Sequence, residues 1–198
     1  MRRLWGHLLI LLIVCQVSFA ENKDPNYPSD PNELIRSKWR DVISVLRNKE
    51  IDQKERETKI SKIVSPIFDF PLMAKLTLGR EHWPKLTHSQ QKKFTELFTE
   101  RLKTSYREKI ALYTDEKVEF KPAIRKKNII YIPMELISKD KKVTIIHKLC
   151  KADKRWKIYD VEIQGVSILL TYRSQFDDIL SKGTVEDLLS RLEEPPTE

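Results

Sequence analysis

The sequence predicts an α+β fold, a curved four-stranded antiparallel sheet cupped by helices. Three observations lead there. Apolar residues recur at helical spacing from Ile35 to Tyr113, at a spacing of two from Val118 to Ile163, and again at helical spacing from Leu169 onward. The links between the central segments are short and charged, which makes consecutive strands pair antiparallel. One stretch, Trp156 to Phe176, starts as a strand and becomes a helix after Gly165, so it must join a sheet layer to a helical one.

Each helix announces its start. Asp30-Pro31-Asn32-Glu33 supplies a cap, a first-turn proline and an early acid, ahead of an apolar face of Ile35, Trp39, Val42 and Leu46. Asp52 with Glu55 reads as a capping box for a helix through Ile60, Ile63, Val64 and Ile67, which Pro66 should bend or end. Residues 68–79 (FDFPLMAKLTLG) are apolar most of the way round, so a helix there must be covered on several sides, with Gly79 as its C-cap. Thr87 with Gln90 opens the longest helix, whose stripe is Phe94, Leu97, Phe98, Leu102, Tyr106, Ile110 and Tyr113.

The four strands are expected at Val118–Phe120, Ile130–Leu136, Val143–Leu149 and Trp156–Ile163. In the last, Trp156 and Ile158 fall on one face by alternation, and Tyr159, Val161 and Ile163 on the other. Leu169, Tyr172, Phe176, Ile179 and Leu180 then form a helical face. Gly183 closes that helix, and Thr184 with Asp187 opens a last one through Leu188, Leu189 and Leu192.

Residues 1–20 read as a cleavable secretory signal: Arg2 and Arg3, an apolar core from Leu8 to Val17, and Ser18-Phe19-Ala20 as the cleavage site. The apolar run is too short to span a bilayer. Leu12-Ile13-Val14-Cys15 loosely resembles a lipobox, though Val14 stands where that signal wants a small residue. Residues 21–29 read as a flexible leader and 30–198 as one domain. Losing Arg2 and Arg3 with no acid lowers the formal charge from +8 to +6. Export argues against nucleic acid as the partner of this basic chain and favours anionic headgroups. After Cys15 the only cysteine is Cys150, which excludes an internal disulfide and reads as a small packed hydrophobe.

No catalytic constellation emerges. Cys150, His147 and Asp160 are the best nucleophilic set, but residues 147 and 150 of one strand point to opposite faces. His147 reads first as a core histidine. Asp160, mid-strand, is either a structural carboxylate or the base of a proton-transfer enzyme. No metal-ligand, P-loop, GxSxG or dinucleotide pattern occurs. What remains is a surplus of large apolar side chains, which serve a solid core and an open cavity equally well.

Two segments carry a resemblance: FDFPLMAKLTLGREHWPKLTHSQQKKFTELF at 68–98 and RWKIYDVEIQGVSILLTYRSQFDDIL at 155–180. The chain resembles the MlaC, or toluene-tolerance, family of exported lipid-carrier proteins. Gln164 stands where many members have Glu, and His147 where an aromatic residue is common. The resemblance implies a periplasmic, non-enzymatic, monomeric shuttle with an NTF2-like or cystatin-like fold enclosing an apolar cavity. Its cargo would be a glycerophospholipid held by the acyl chains, with no other cofactor, carried between the two membranes to maintain outer-membrane lipid asymmetry. Its partners would be an inner-membrane ABC transporter with MCE domains and an outer-membrane lipoprotein–porin complex. Alternation and helix facing then nominate the lining: Leu72, Met73, Leu76 and Leu78; Phe98, Leu102 and Tyr106; and Ile130, Ile132, Met134, Ile145, Val161, Ile163 and Val166. Two other readings stand beside it, an exported enzyme using Asp160 and a solid-core interaction protein.

Overall fold

The computed structural model describes residues 27–111, 117–139 and 141–195, and of residues 106–111 the backbone alone. Residues 1–20, expected to be a signal sequence, with Cys15, and the side chains of Tyr106, Ile110 and Tyr113, lie outside the described residues. Four helices come first: α1 (Pro31–Arg47), α2 (Gln53–Val64), α3 (Phe70–His82) and α4 (His88–Ala111). Six strands follow: β1 (Lys117–Phe120), β2 (Ile124–Lys126), β3 (Ile129–Ile137), β4 (Lys142–Ala152), β5 (Arg155–Ile163) and β6 (Val166–Ser167). Helices α5 (Ile168–Lys182) and α6 (Val185–Glu193) complete the described chain.

The helix starts are where the capping residues put them. Asp30 accepts from the Asn32 N–H, Asp52 from Glu55 N–H and Asp69 from Leu72 N–H. Thr87 and Gln90 bond reciprocally, as do Thr184 and Asp187. Pro66 lies in a single 3₁₀ turn, Ser65–Ile67, that ends the α2 run.

The sheet differs from the expected four strands by two short ones. Its order is β1-β3-β4-β5-β6, with β2 also paired to β3, and the pairings are antiparallel. Strands β1 and β2 share one edge of β3, separated by Lys121–Ala123, where Pro122 cannot donate to a ladder. Pro133 of β3 fits the same gap. Its carbonyl accepts from Lys121 N–H at 2.9 Å, so its ring nitrogen faces the edge at which the pairing is already broken. At the far edge β6 pairs with Glu162 and Ile163, and Phe68–Asp69 runs beside Ile158, with Asp69 N–H bonding the Ile158 carbonyl at 2.8 Å. That edge is thus covered against pairing with other chains.

Gly165 does not lead straight into a helix. Gln164 (φ 51°) and Gly165 (φ 80°) form a two-residue hairpin loop of the type I′ kind, and β6 returns along β5 before α5 begins. Gln164 meets the cost of its left-handed backbone with its side chain, which accepts from Thr144 N–H and donates to the Lys142 carbonyl. A glutamate there could not make the second bond.

Strand β5 also corrects the expected facing. Lys148 pairs with Asp160 and Leu149 with Ile158, so Tyr159 is an extra residue, a β-bulge. The bulge shifts the alternation by one. Trp156 and Ile158 before it, and Val161 and Ile163 after it, therefore share the face of Lys151, Leu149, His147 and Ile145, their partners on β4. All four point into the core, not two to each side.

Asp160 then lands on the opposite face, 4 % exposed. Its Oδ2 accepts from Lys148 Nζ at 3.0 Å and Ser167 Oγ at 2.8 Å, and its Oδ1 accepts from Leu169 N–H at 3.1 Å. Ser167 in turn caps α5 through Leu170 N–H. The carboxylate sits at the positive end of the α5 dipole and fixes the angle at which α5 leaves the sheet. The two distinctive segments also meet at Gly79 and Arg173. Gly79 has φ 62°, ψ −166° and kinks α3, and a Cβ there would lie 2.1 Å from Arg173 Nη2.

Helix α1 is held on the core face of the sheet by Leu34, Ile35 and Trp39. Trp39 Nε1–H donates to His147 Nε2 at 3.3 Å, which places the imidazole proton on Nδ1. Burial pushes the His147 pKa down from 6.5 to about 4, and an interaction with the Ile132 backbone offsets little of it. The described part of the leader is anchored as well: the Tyr27 hydroxyl donates to the Trp156 carbonyl.

Replacing Asp160 by Asn puts an amide donor or a single acceptor where two donors converge and removes a buried counter-charge from Lys148. The expected cost is ~2–4 kcal/mol in chemical denaturation, with no comparable loss for Asp178→Asn on the exposed face of α5. Gly79→Ala should cost ~1–3 kcal/mol through its backbone conformation, and adding Arg173→Ala should recover little of it. Recovery in full would assign the effect to the side-chain clash alone. The unfolded chain binds a proton at His147 near pH 6.5 and the folded chain only near pH 4, so stability falls as pH drops through that window, by up to ~3 kcal/mol at its lower end. His147→Phe should flatten that part of the curve, read as denaturation midpoints against pH. Parallel curves would dismiss the histidine as its source.

Candidate functional site

The apolar interior is divided. One buried cluster belongs to the sheet and α1: Leu34, Ile35, Ile67, Ile130, Ile132, Met134, Ile145, Leu149, Trp156, Ile158 and Val161. The other belongs to α3–α6: Met73, Ala74, Leu78, Leu86, Phe94, Phe98, Leu102, Phe176 and the three leucines of α6. Phe68 and Ile168 are half-buried and pack against both. Small domains ordinarily bury one contiguous core with smaller satellites, and the seam between these two large clusters is where a candidate site is sought.

The candidate lining falls on either side of this seam. Ile130, Ile132, Met134, Ile145 and Val161 are buried in the sheet cluster, and Ile163 packs against it half-buried. Cross-strand register explains their company: Met134 faces Ile145, which faces Ile163, and Ile132 faces His147, which faces Val161. Met73, Leu78, Phe98 and Leu102 are buried in the helical cluster. Leu72 and Leu76 are half-buried, one turn apart on α3. Val166 pairs with Ile163 and so shares its face of the sheet, but it closes the hairpin on the short edge strand β6 and stays 60 % exposed. The Tyr106 side chain lies outside the described residues.

Sequence reasoning missed the residues that set the seam. Phe68 begins the motif quoted above, yet its role comes from the bridge to Ile158, a contact across 90 residues of chain that no local pattern displays. Its ring stacks on Phe70 at 5.5 Å with the planes 9° apart. Ile168 follows the Ser167 cap and is placed by the Asp160 bond. On the helical side, Phe176 stands edge-on to Phe94 and Phe98 at 5.5 and 6.1 Å, and Tyr172 edge-on to Phe98 at 5.3 Å. The aromatic stripe of α4 is thus satisfied by α5.

The groups considered for chemistry are engaged elsewhere. Cys150 pairs with Lys157 on the face opposite His147, and burial, then Asp69, pushes its thiol pKa up, away from a reactive thiolate. Asp160 is bound by three donors from the protein itself. His147 Nδ1 makes no hydrogen bond of ordinary geometry and lies in the sheet cluster, a polar atom among aliphatic ones. Among the described residues no group of three His, Cys, Asp or Glu is placed to hold a metal, and no helix is long and apolar enough to cross a membrane.

Comparison with known proteins agrees with this architecture. A phospholipid-binding protein from Ralstonia solanacearum, solved in complex with a phospholipid, superposes with a TM-score of 0.74 at 22 % identity, covering 83 % of this chain and 95 % of that one. At that identity the likeness establishes the fold. A search of curated protein sequences found no match. The sequence itself matches the MlaC protein family over residues 36–194, which spans both distinctive segments and all six strands. The chain belongs to the MlaC family.

Proposed function

We propose that this protein is a periplasmic carrier that holds a glycerophospholipid by its acyl chains along the seam between the sheet cluster and the helical cluster. The observation that carries the reading is the divided core of a chain of this family: two apolar surfaces from different layers, joined at Phe68 and Ile168. The likeness in fold to a protein solved with a phospholipid supports it. The lining would come from both sides: Leu72, Met73, Leu76, Leu78, Phe98 and Leu102 from the helices, and Ile130, Ile132, Met134, Ile145, Val161 and Ile163 from the sheet. Export by a cleaved signal sequence, and exchange with an inner-membrane MCE-type transporter and an outer-membrane lipoprotein–porin complex, belong to the same proposal.

The energetics favour an undemanding pocket. At ~0.8 kcal/mol per methylene, two chains of about sixteen carbons gain roughly 25 kcal/mol on leaving water. A bilayer offers nearly the same, so a carrier has only to match it for transfer to run either way. Aliphatic walls suffice for that. The barrier is exposure of the chains in transit, which docking removes.

Native mass spectrometry of the protein purified without detergent should show a discrete added mass that resolves into phospholipid on extraction. A bare protein mass, with no uptake from liposomes, would overturn the proposal. Leu102 is only 1 % exposed, so Leu102→Asp risks the fold. Leu76→Trp and Ile163→Trp, at half-buried positions, fill the seam with less risk. They should lower co-purified lipid several-fold with little change in melting temperature, whereas full lipid content in both would remove these two residues from the lining.

A further inference from the structure

The two ends of the sheet carry charge in different ways. At the end formed by the β3–β4 turn, Lys139 and Lys141 of the turn itself are exposed and paired with none of the described carboxylates. The cations beside the turn meet carboxylates: Lys121 and Lys142 both pair with Glu135 at 2.8 and 2.7 Å, and Lys117 pairs with Glu119 at 2.8 Å. These contacts hold the Glu119 and Glu135 carboxyls below the usual range. The opposite end is built from the β2–β3 and β4–β5 turns. Register brings them together, since Lys126 is opposite Ile129, Ile129 opposite Cys150, and Cys150 opposite Lys157. Arg125, Lys126, Lys127, Lys151, Lys154 and Arg155 are all exposed there, with Asp153 the one acid in either turn. Among the described residues no carboxylate is ion-paired with Arg125, Lys126, Lys127 or Lys151.

Aromatic rings take up part of this charge. Arg125 and Lys151 lie over the Trp156 ring, at 5.7 and 5.4 Å from its centroid, and Lys126 lies 5.0 Å from that of Tyr131. The same end carries Ile124, 49 % exposed on the edge strand directly before Arg125. An exposed aliphatic side chain on the strand that carries Arg125 and Lys126, beside Lys127, has the composition of a membrane-surface contact.

We propose that this end of the sheet docks on an anionic bilayer surface, the cations against lipid phosphates and Ile124 at the headgroup boundary. A bilayer fits better than an acidic protein. The cations come from two separate turns on long side chains with no shared planar geometry, and the large aromatic beside them, Trp156, is 6 % exposed and cannot act as an anchor in a partner's pocket. The proposal is independent of which cargo the seam holds. It places the carrier's contact with a membrane on an end of the sheet and leaves the helical layer free.

Co-sedimentation with phosphatidylcholine vesicles, with and without ~30 % phosphatidylglycerol, tests it at about 0.05 M and about 0.5 M salt. The wild-type protein should partition onto the anionic vesicles at low salt and leave them at high salt. R125E/K126E/K127E should lower that partition at least tenfold, by the order of ~1 kcal/mol per cation near an anionic surface, while keeping the melting temperature and the co-purified lipid. The same number of reversals on α2, K54E/K59E/K62E, should change it by less than about threefold, a long-range charge effect only. K151E/K154E gives the second arm should the first triple disturb folding. Equal loss from the α2 variant would reduce the effect to net charge and overturn the assignment, as would full partition of the β2 variant. A wild-type protein that ignores anionic vesicles at low salt would overturn it in favour of an acidic protein partner. Co-purified lipid, measured on the same samples, reports separately on the carrier reading.

Discussion

The carboxylate of Asp160 is the interaction on which the rest of this structure depends. It lies in β5 one residue past a bulge and binds Lys148 from β4, Ser167 from β6 and the second N–H of α5. A buried carboxylate is costly unless such partners converge on it, and here each partner comes from a different element. The position of α5 follows from that bond. From α5 follow Tyr172 and Phe176, which close the aromatic group of α4, and Arg173, which lies against Gly79 of α3. Asp160, the candidate for chemistry that lies in a distinctive segment, therefore serves to hang the helical layer on the sheet.

That division of labour bears on function. A layer attached at a few points need not press onto its neighbour everywhere. The contacts between layers are concentrated at Phe68, whose backbone runs beside β5, and at Ile168, next to the Asp160 bond. Elsewhere each layer satisfies itself: the helices through their own aromatic and leucine contacts, the sheet through α1 and its cross-strand pairs. Two self-sufficient layers can part around a guest without either unfolding. A single interdigitated core cannot, because each side chain withdrawn leaves a void.

What could be read in the sequence was what is decided locally. Asp30, Asp52, Thr87 and Thr184 cap helices with donors two or three residues away, so their signals needed no tertiary context. The four longer strands were legible for the same reason. Strands β2 and β6 were not: three and two residues carry too little pattern, and each exists because a neighbour offers an edge. The bulge at Tyr159 shows the limit most plainly. Alternation counts residues, and one extra residue reverses every facing beyond it, so Val161 and Ile163 joined Trp156 and Ile158 on the core face against expectation. Of the lining candidates, apolar periodicity found residues of both clusters, but it had no means to see that they form two groups, or that Val166 stays exposed at the hairpin end of an edge strand.

The same contrast explains why the lining is the least legible part of such a site. A cap or a buried carboxylate must be a particular residue, since its donors and acceptors have fixed directions. A wall for acyl chains asks only for apolar surface of suitable depth. Transfer close to neutral against a bilayer even argues against tight complementarity, because a pocket that outbid the membrane would not release its cargo. Leu, Ile, Met and Phe are then interchangeable within wide limits, and their identities carry little of the function. In the proposed carrier, specificity would reside where directions matter: in the charges at one end of the sheet, where Arg125 to Lys127 and Lys151 stand without carboxylates among the described residues, and in the geometry with which α5 is held.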